Sequence, residues 1–172
     1  MPYIPQKDRE PYTSIIQEIN KKVPENEDAY FLLTGFIFDL LTRVYDPSTM
    51  RYWEHNEVIG MLECCKLEWY RKKQIDGYVQ NQEWIMQRED NNRFTDELNQ
   101  LESLIKPLDH IIKAGTLNFL ITSILTYVFS PVVKPQHVKE DIISMVETVK
   151  LHWYEFITAP YEDEKLEENG DV

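Results

Sequence analysis

Apolar side chains recur at steps of three and four along most of this chain, and the strict alternation of a half-buried strand is not evident anywhere. The clearest stripe is Val58, Met61, Leu62, Cys65 and Trp69, with Glu57, Glu63, Lys66, Glu68 and Arg71 filling most of the surface between. Proline sets the punctuation. Pro2, Pro5, Pro11, Pro24 and Pro47 precede a proline-free interval from Ser48 to Lys106, in which helix can run far. The pattern predicts helices over Pro11 to Lys22, Asp28 to Tyr45, Asn56 to Arg88, Thr95 to Lys113, Thr116 to Phe129 and Val138 to Ile157. Asp46-Pro47-Ser48 and Ser130-Pro131 read as stops, Gly115 as a helix-ending residue, Thr95 and Thr116 as N-caps, and Pro107 as a kink or restart.

Laid against itself, the chain repeats. Val58-Ile59-Gly60-Met61-Leu62-Glu63-Cys64-Cys65-Lys66-Leu67-Glu68-Trp69-Tyr70 matches Ile142-Ile143-Ser144-Met145-Val146-Glu147-Thr148-Val149-Lys150-Leu151-His152-Trp153-Tyr154. Upstream, the stretch Ala29 to Ile37 matches Leu117 to Leu125, with Phe, Leu and Thr at the same spacing. Amphipathicity alone aligns Leu with Ile almost anywhere, but it does not readily give Glu-x-x-Lys-Leu-x-Trp-Tyr twice. The expectation is an all-α bundle, one domain over 1–172, made of two helix-loop-helix repeats at about 11–90 and 95–160 and an acidic tail at 161–172. Each repeat has one apolar face to bury, so the natural arrangement is an approximate two-fold with a shared core, as in a homodimer whose subunits have been fused.

Composition narrows the function classes. A chain of 172 residues that is 42% hydrophobic has material for a real core, so disorder is not the default. Its 18 Lys plus Arg against 30 Asp plus Glu leave a net charge of −12, which repels a phosphate backbone and argues against nucleic-acid binding. The adjacent Cys64 and Cys65 suit neither a normal disulfide nor separated zinc-ligand pairs, and fit a reduced, cytoplasmic setting, the host cytoplasm if the protein is viral. The Leu117–Val133 run is interrupted by Asn118, Thr122, Ser123, Thr126, Ser130 and Pro131, which reads as a core helix and not a membrane span.

On the repeated helix, Gly60, Glu63, Lys66, Leu67 and Tyr70 share a face, and Ser144, Glu147, Lys150, Leu151 and Tyr154 repeat it. One reading is an exposed Glu–Lys pair beside a small residue that permits close helix approach. The other is a polar cleft at the two-fold, with Lys holding an anion and Glu a hydroxyl or amide. Trp69 and Trp153 lie on the apolar stripe and are expected in the core. Arg71-Lys72-Lys73, with Arg43 or Arg51, is either a solvated helix end or a local anion patch. The tail from Tyr161 to Val172, with six acids and one lysine, reads as a disordered or surface-laid extension, or as an arm for a basic partner.

Motifs for chemistry are weak. His55, His110, His137 and His152 lack metal-ligand spacing, and neither a phosphate-cradling glycine loop nor a nucleophile elbow is present. Asp39, Glu57, Glu63, Glu140 and Glu147 are the carboxylates that facing helices would have to bring together for a magnesium-dependent nucleotide hydrolase.

With these residues in hand, the chain resembles a family of short uncharacterised phage and bacterial proteins, each about half its length. The resemblance rests on an opening like Met1-Pro2-Tyr3-Ile4 with Asp8-Arg9 and a middle like Leu117-Asn118-Phe119-Leu120-Ile121-Thr122. It rests more specifically on a helix like Asn56-Glu57-Val58-Ile59-Gly60-Met61-Leu62-Glu63-Cys64 continuing through Lys66-Leu67-Glu68 and Tyr70-Arg71, and on an ending like Ala159-Pro160-Tyr161-Glu162-Asp163 with Glu168 to Val172. The first half keeps the opening and the helix; the second keeps the middle and the ending. If the short relatives dimerise, the resemblance implies one composite set, joining Asn56, Glu57, Glu63, Lys66, Tyr70 and Arg71 to the ending. It implies no activity and no cofactor.

The sequence therefore points to a non-enzymatic, phage-type accessory binding protein that holds a small anionic ligand such as a nucleotide between the repeats. Asn56, Glu57, Glu63, Lys66, Tyr70, Arg71, Asn118, Lys150 and Tyr154 are the expected contacts. The rival readings are a protein-interaction or inhibitor module with an acidic surface, directed at a host protein, and the magnesium-dependent hydrolase. No membrane partner is expected, and both monomer and homo-oligomer stay open.

Overall fold

The computed structural model describes residues 4–25, 28–73, 91–129 and 136–169. These fold into helices α1 (Glu10–Lys22), α2 (Asp28–Val44), α3 (Tyr52–Lys73), α4 (Thr95–Ile105), α5 (His110–Phe129), α6 (Gln136–Trp153) and α7 (Ala159–Asn169), with no strand among the described residues. A π turn, Tyr154–Thr158, joins α6 to α7.

Local chemistry moved several boundaries. Helix α3 starts four residues before the expected Asn56, because the Glu54 carboxylate reaches back to accept the Arg51 N–H at 2.8 Å, one arm of a capping box. Helix α5 starts at His110 and runs through Gly115. Its N-cap is Asp109, whose Oδ1 accepts the Ile111 N–H at 3.1 Å, and the expected cap Thr116 is buried inside the helix. The break expected at Gly115 falls instead at Pro107, which lacks the N–H that would continue α4. Thr95 is the first residue of α4 and follows Phe94, which makes no side-chain cap. The expected extension of the α3 helix to Arg88 lies outside the described residues.

The acidic tail, expected to be disordered or laid on the surface, takes an ordered and largely exposed form. It is helical from Ala159 to Asn169, and Pro160, which has no N–H for the α ladder, lies directly after the π turn.

The packing runs between halves. Helix α1 lies on α5 as α4 lies on α2; α3 lies on α5 as α6 lies on α2; α3 crosses α6, and α1 meets α4. Within a half, among these six helices, only α4 and α5 make a comparable contact, next to their connecting turn. Each helix thus buries its apolar stripe mostly against the other half. Phe36 meets Phe94 edge-on at 5.1 Å, Tyr30 stacks on Phe129 at 5.0 Å, and Phe38 meets Trp153 edge-on at 5.9 Å. One apolar cluster contains Leu33, Ile37 and Leu40 of α2, Leu62 and Trp69 of α3, Leu98 and Leu101 of α4, Leu120 and Ile124 of α5, and Val149 and Trp153 of α6. Trp69 and Trp153 are both buried in it. Helix α5 has the length and apolarity of a membrane span, but Leu117, Leu120, Ile121, Ile124 and Leu125 are spent on this core.

Candidate functional site: a salt ring where two helices cross

Glu63 and Lys66 are one turn apart on α3, and Glu147 and Lys150 are one turn apart on α6. Because α3 and α6 cross in contact, the two i,i+3 pairs meet and close on each other. Lys66 Nζ lies 2.6 Å from Glu147 Oε2 and 2.9 Å from Glu63 Oε2; Lys150 Nζ lies 2.6 Å from Glu63 Oε2 and 2.8 Å from Glu147 Oε1. Each ammonium sits between two carboxylates and each carboxylate between two ammoniums. The ring has no net charge.

It is half withdrawn from solvent. The side chains of Lys66, Lys150 and Glu147 are 15%, 18% and 11% exposed, and that of Glu63 is 36% exposed. Burial acts to raise the Glu63 pKa, but hydrogen bonds from Lys150 and Lys66 outweigh it and hold the carboxyl below its ordinary value. Burial acts to lower that of Lys66, and Glu147 and Glu63 outweigh it in the same way, so Lys66 is shifted upward. Both shifts favour the charged forms.

Gly60, expected to let the helices approach, is exposed, and a Cβ built on it meets nothing within 4 Å. The four ring side chains meet between the helices instead, and Ser144 on α6 is buried. Leu67 and Leu151, each next to a ring lysine, are exposed.

The other expected contacts do not gather here. Asn56 is exposed. Glu57 faces elsewhere: its Oε2 accepts the Tyr45 hydroxyl at 2.9 Å, and its Oε1 lies 3.5 Å from His110 Nδ1. Burial, with Glu57 adding to it, pushes the Tyr45 phenol upward, so Tyr45 stays a donor. Asn118 is buried and donates from Nδ2 to Cys65 Sγ at 3.0 Å, so it is a core residue outside any cleft. Burial pushes the Cys65 thiol up to about 12, which leaves it an unreactive thiol. Tyr154 is exposed in the π turn and donates to Glu162 Oε2 at 3.0 Å. The side chains of Tyr70, Arg71, Lys72 and Lys73 lie outside the described residues, as does that of Glu140. Arg43, the other member of the basic cluster, is bound to Asn99 at 2.8 Å and lies 3.6 Å from Glu102. Among the described residues, no group of three or more His, Cys, Asp and Glu side chains is placed to hold a metal ion.

Two polar features escaped the sequence reading. Lys22 of α1 reaches the buried Glu97 of α4 at 2.7 Å and tethers the two outer helices. His55 of α3 is fully buried, and its ring stacks on Tyr161 of α7 at 4.5 Å and 26°. Ala159-Pro160 was the available signal for the second, since proline in a first turn marks a helix start.

The family model described as Domain of unknown function (DUF6899) matches this chain twice, over residues 1–83 and 85–172. The chain belongs to this family. The boundary between the DUF6899 matches divides the ring in half: the first unit supplies Glu63 and Lys66, the second Glu147 and Lys150. It also divides the His55 contact, with the imidazole in the first DUF6899 unit and Tyr161 in the second. No curated protein and no solved structure matches the chain.

Proposed function

We propose that this chain is a non-enzymatic binding protein in which two DUF6899 units form a fused pair, related by an approximate rotation through the salt ring, and present the α3–α6 face to a protein partner. The observation that carries the reading is the closure of the ring. Lys66 and Lys150, the lysines expected to attract an anion, are each held by two carboxylates from the fold itself. An anionic ligand would have to displace those carboxylates and leave them near its own charge. A neutral polar centre flanked by exposed Leu67 and Leu151 is suited to a protein surface, where apolar anchors supply binding energy and a satisfied polar group sets the register. The phage-type accessory role rests on the family resemblance alone.

Capture from the natural host with wild type and with the Leu67→Glu, Leu151→Glu double variant tests this, alongside a thermal-shift panel of nucleotides. Both side chains are exposed, so the double variant is expected to melt like wild type while losing its partner, and nucleotides are expected to leave the melting temperature unchanged. A nucleotide that stabilises wild type but not Lys66→Glu would overturn the reading in favour of an anion site.

A further inference from the structure

We infer that α7 is an acid-releasable latch: it closes over the neutral imidazole of His55, and protonation of that imidazole lifts the C-terminal helix from α3.

The geometry starts from the buried ring. His55 has no exposed surface; Nδ1 lies 3.2 Å from the buried Thr158 hydroxyl in the π turn, and Tyr161 of α7 stacks across the ring face. Nε2 is buried with no hydrogen-bond partner among the described residues. A neutral imidazole needs one donor and one acceptor; an imidazolium needs acceptors at both nitrogens. Here only Nδ1 has a partner, so a charge on the ring leaves Nε2–H⁺ without one while α7 is docked.

The groups around it set the direction. Burial is the larger effect and lowers the His55 pKa; Glu162 on α7 and Glu54 on α3 are the carboxylates that act on the ring, and both oppose it by favouring the charge. Thr158 and Tyr161 offer no charge to offset it, and Lys165, 5.7 Å from the Tyr161 ring centre, adds a positive one to the same helix. Glu162 is engaged by the Tyr154 hydroxyl, and Glu54 by the Arg51 N–H. Lifting α7 admits water to Nε2 and leaves Glu54 beside the new charge.

The sign follows. A histidine whose pKa is lowered in the docked state favours docking fully above its ordinary value of 6.5, and that contribution is lost as pH falls through the lowered value. The latch is therefore closed at neutral pH and opens in mild acid. Apart from the adjoining π turn, α7 shares no more than marginal contact with any one described helix.

Hydrogen exchange of the full chain at pH 7.5 and 5.5, corrected for intrinsic rates, tests this, with the His55 ring titrated by NMR. Amides of α7 are expected to lose roughly five- to tenfold in protection, bounded by the tenfold per pH unit that one proton can supply. Amides of α2 are expected to keep theirs, and His55→Phe is expected to keep α7 protected at both pH values. Protection of α7 that is unchanged in wild type, or that falls equally in His55→Phe, would overturn the latch. Should His55→Phe not fold, Tyr161→Ala replaces it: uncovering the ring is expected to move the His55 titration up toward 6.5, and an unmoved titration would overturn the proposal.

Discussion

Helix α3 carries a partly buried charge and a buried neutral ring that are satisfied to different degrees. Lys66 is a full charge, yet it is met by two carboxylates and stays charged; His55 is neutral, yet one of its nitrogens has no partner among the described residues. The difference shows that burying a charge is compatible with a fixed structure when counter-charges come from the fold, and that a neutral group left half satisfied makes the structure depend on conditions. The ring is a lock between the two family units. The imidazole is a point where one segment can be released.

The largest test of that contrast reverses a ring charge. Lys66→Glu gathers three carboxylates around Lys150 and is expected to lower the unfolding free energy by roughly 2–3 kcal/mol, given the partial burial of the site. Adding Glu147→Lys restores neutrality and both ion pairs across the helix crossing, leaves like charges facing only within each helix, and should recover part of the loss in urea melts. A double variant no better than the single one would show that the ring contributes by packing and not by charge.

A smaller effect separates the two groups by pH. The lowered Glu63 pKa means that ring stabilisation is full above the ordinary carboxylate value of 4.5 and is lost as pH falls through the lowered one; the raised Lys66 pKa means it is full below 10.5 and is lost as pH rises through the raised one. Between pH 7.5 and 5.5 the ring therefore contributes no slope, and His55 does. The urea midpoint of wild type is expected to fall over that interval, and that of His55→Phe to stay level.

Smaller again is Gly60→Ala. An exposed helical glycine with open space at its Cβ is expected to gain about 0.5–1 kcal/mol on substitution, whereas a residue setting the helix approach would lose stability. The smallest is Leu67→Ala, expected within about 0.5 kcal/mol of wild type because Leu67 is exposed.

Much of this was legible in the chain. The three-and-four stripes gave the helices, and Glu-x-x-Lys-Leu-x-Trp-Tyr gave both the buried tryptophans and the four residues of the ring. What the stripes could not give was the partner of each charge: an i,i+3 pair looks the same whether it faces water or a second pair across a helix crossing. Gly60 was misread because a small residue is equally compatible with close contact and with open surface. Gly115 was misread as a stop because Asp109, further upstream, caps a longer helix. The helical form of the tail was not read because its acidic composition outweighed Ala159-Pro160, and its contact with His55 lies about a hundred residues away in sequence, where no local pattern reaches.

Sharing of one core between the two units is tested most directly by cutting the chain at the family boundary and producing 1–83 and 84–172 separately. Because each half packs mostly on the other, neither fragment is expected to melt cooperatively as a monomer, and an equimolar mixture is expected to give a one-to-one complex with the helical signal and single transition of the intact chain. The first fragment, carrying its own Glu63 and Lys66, can also pair with itself around the same ring. Either fragment remaining monomeric at all concentrations while unfolding in its own cooperative transition would contradict the shared core.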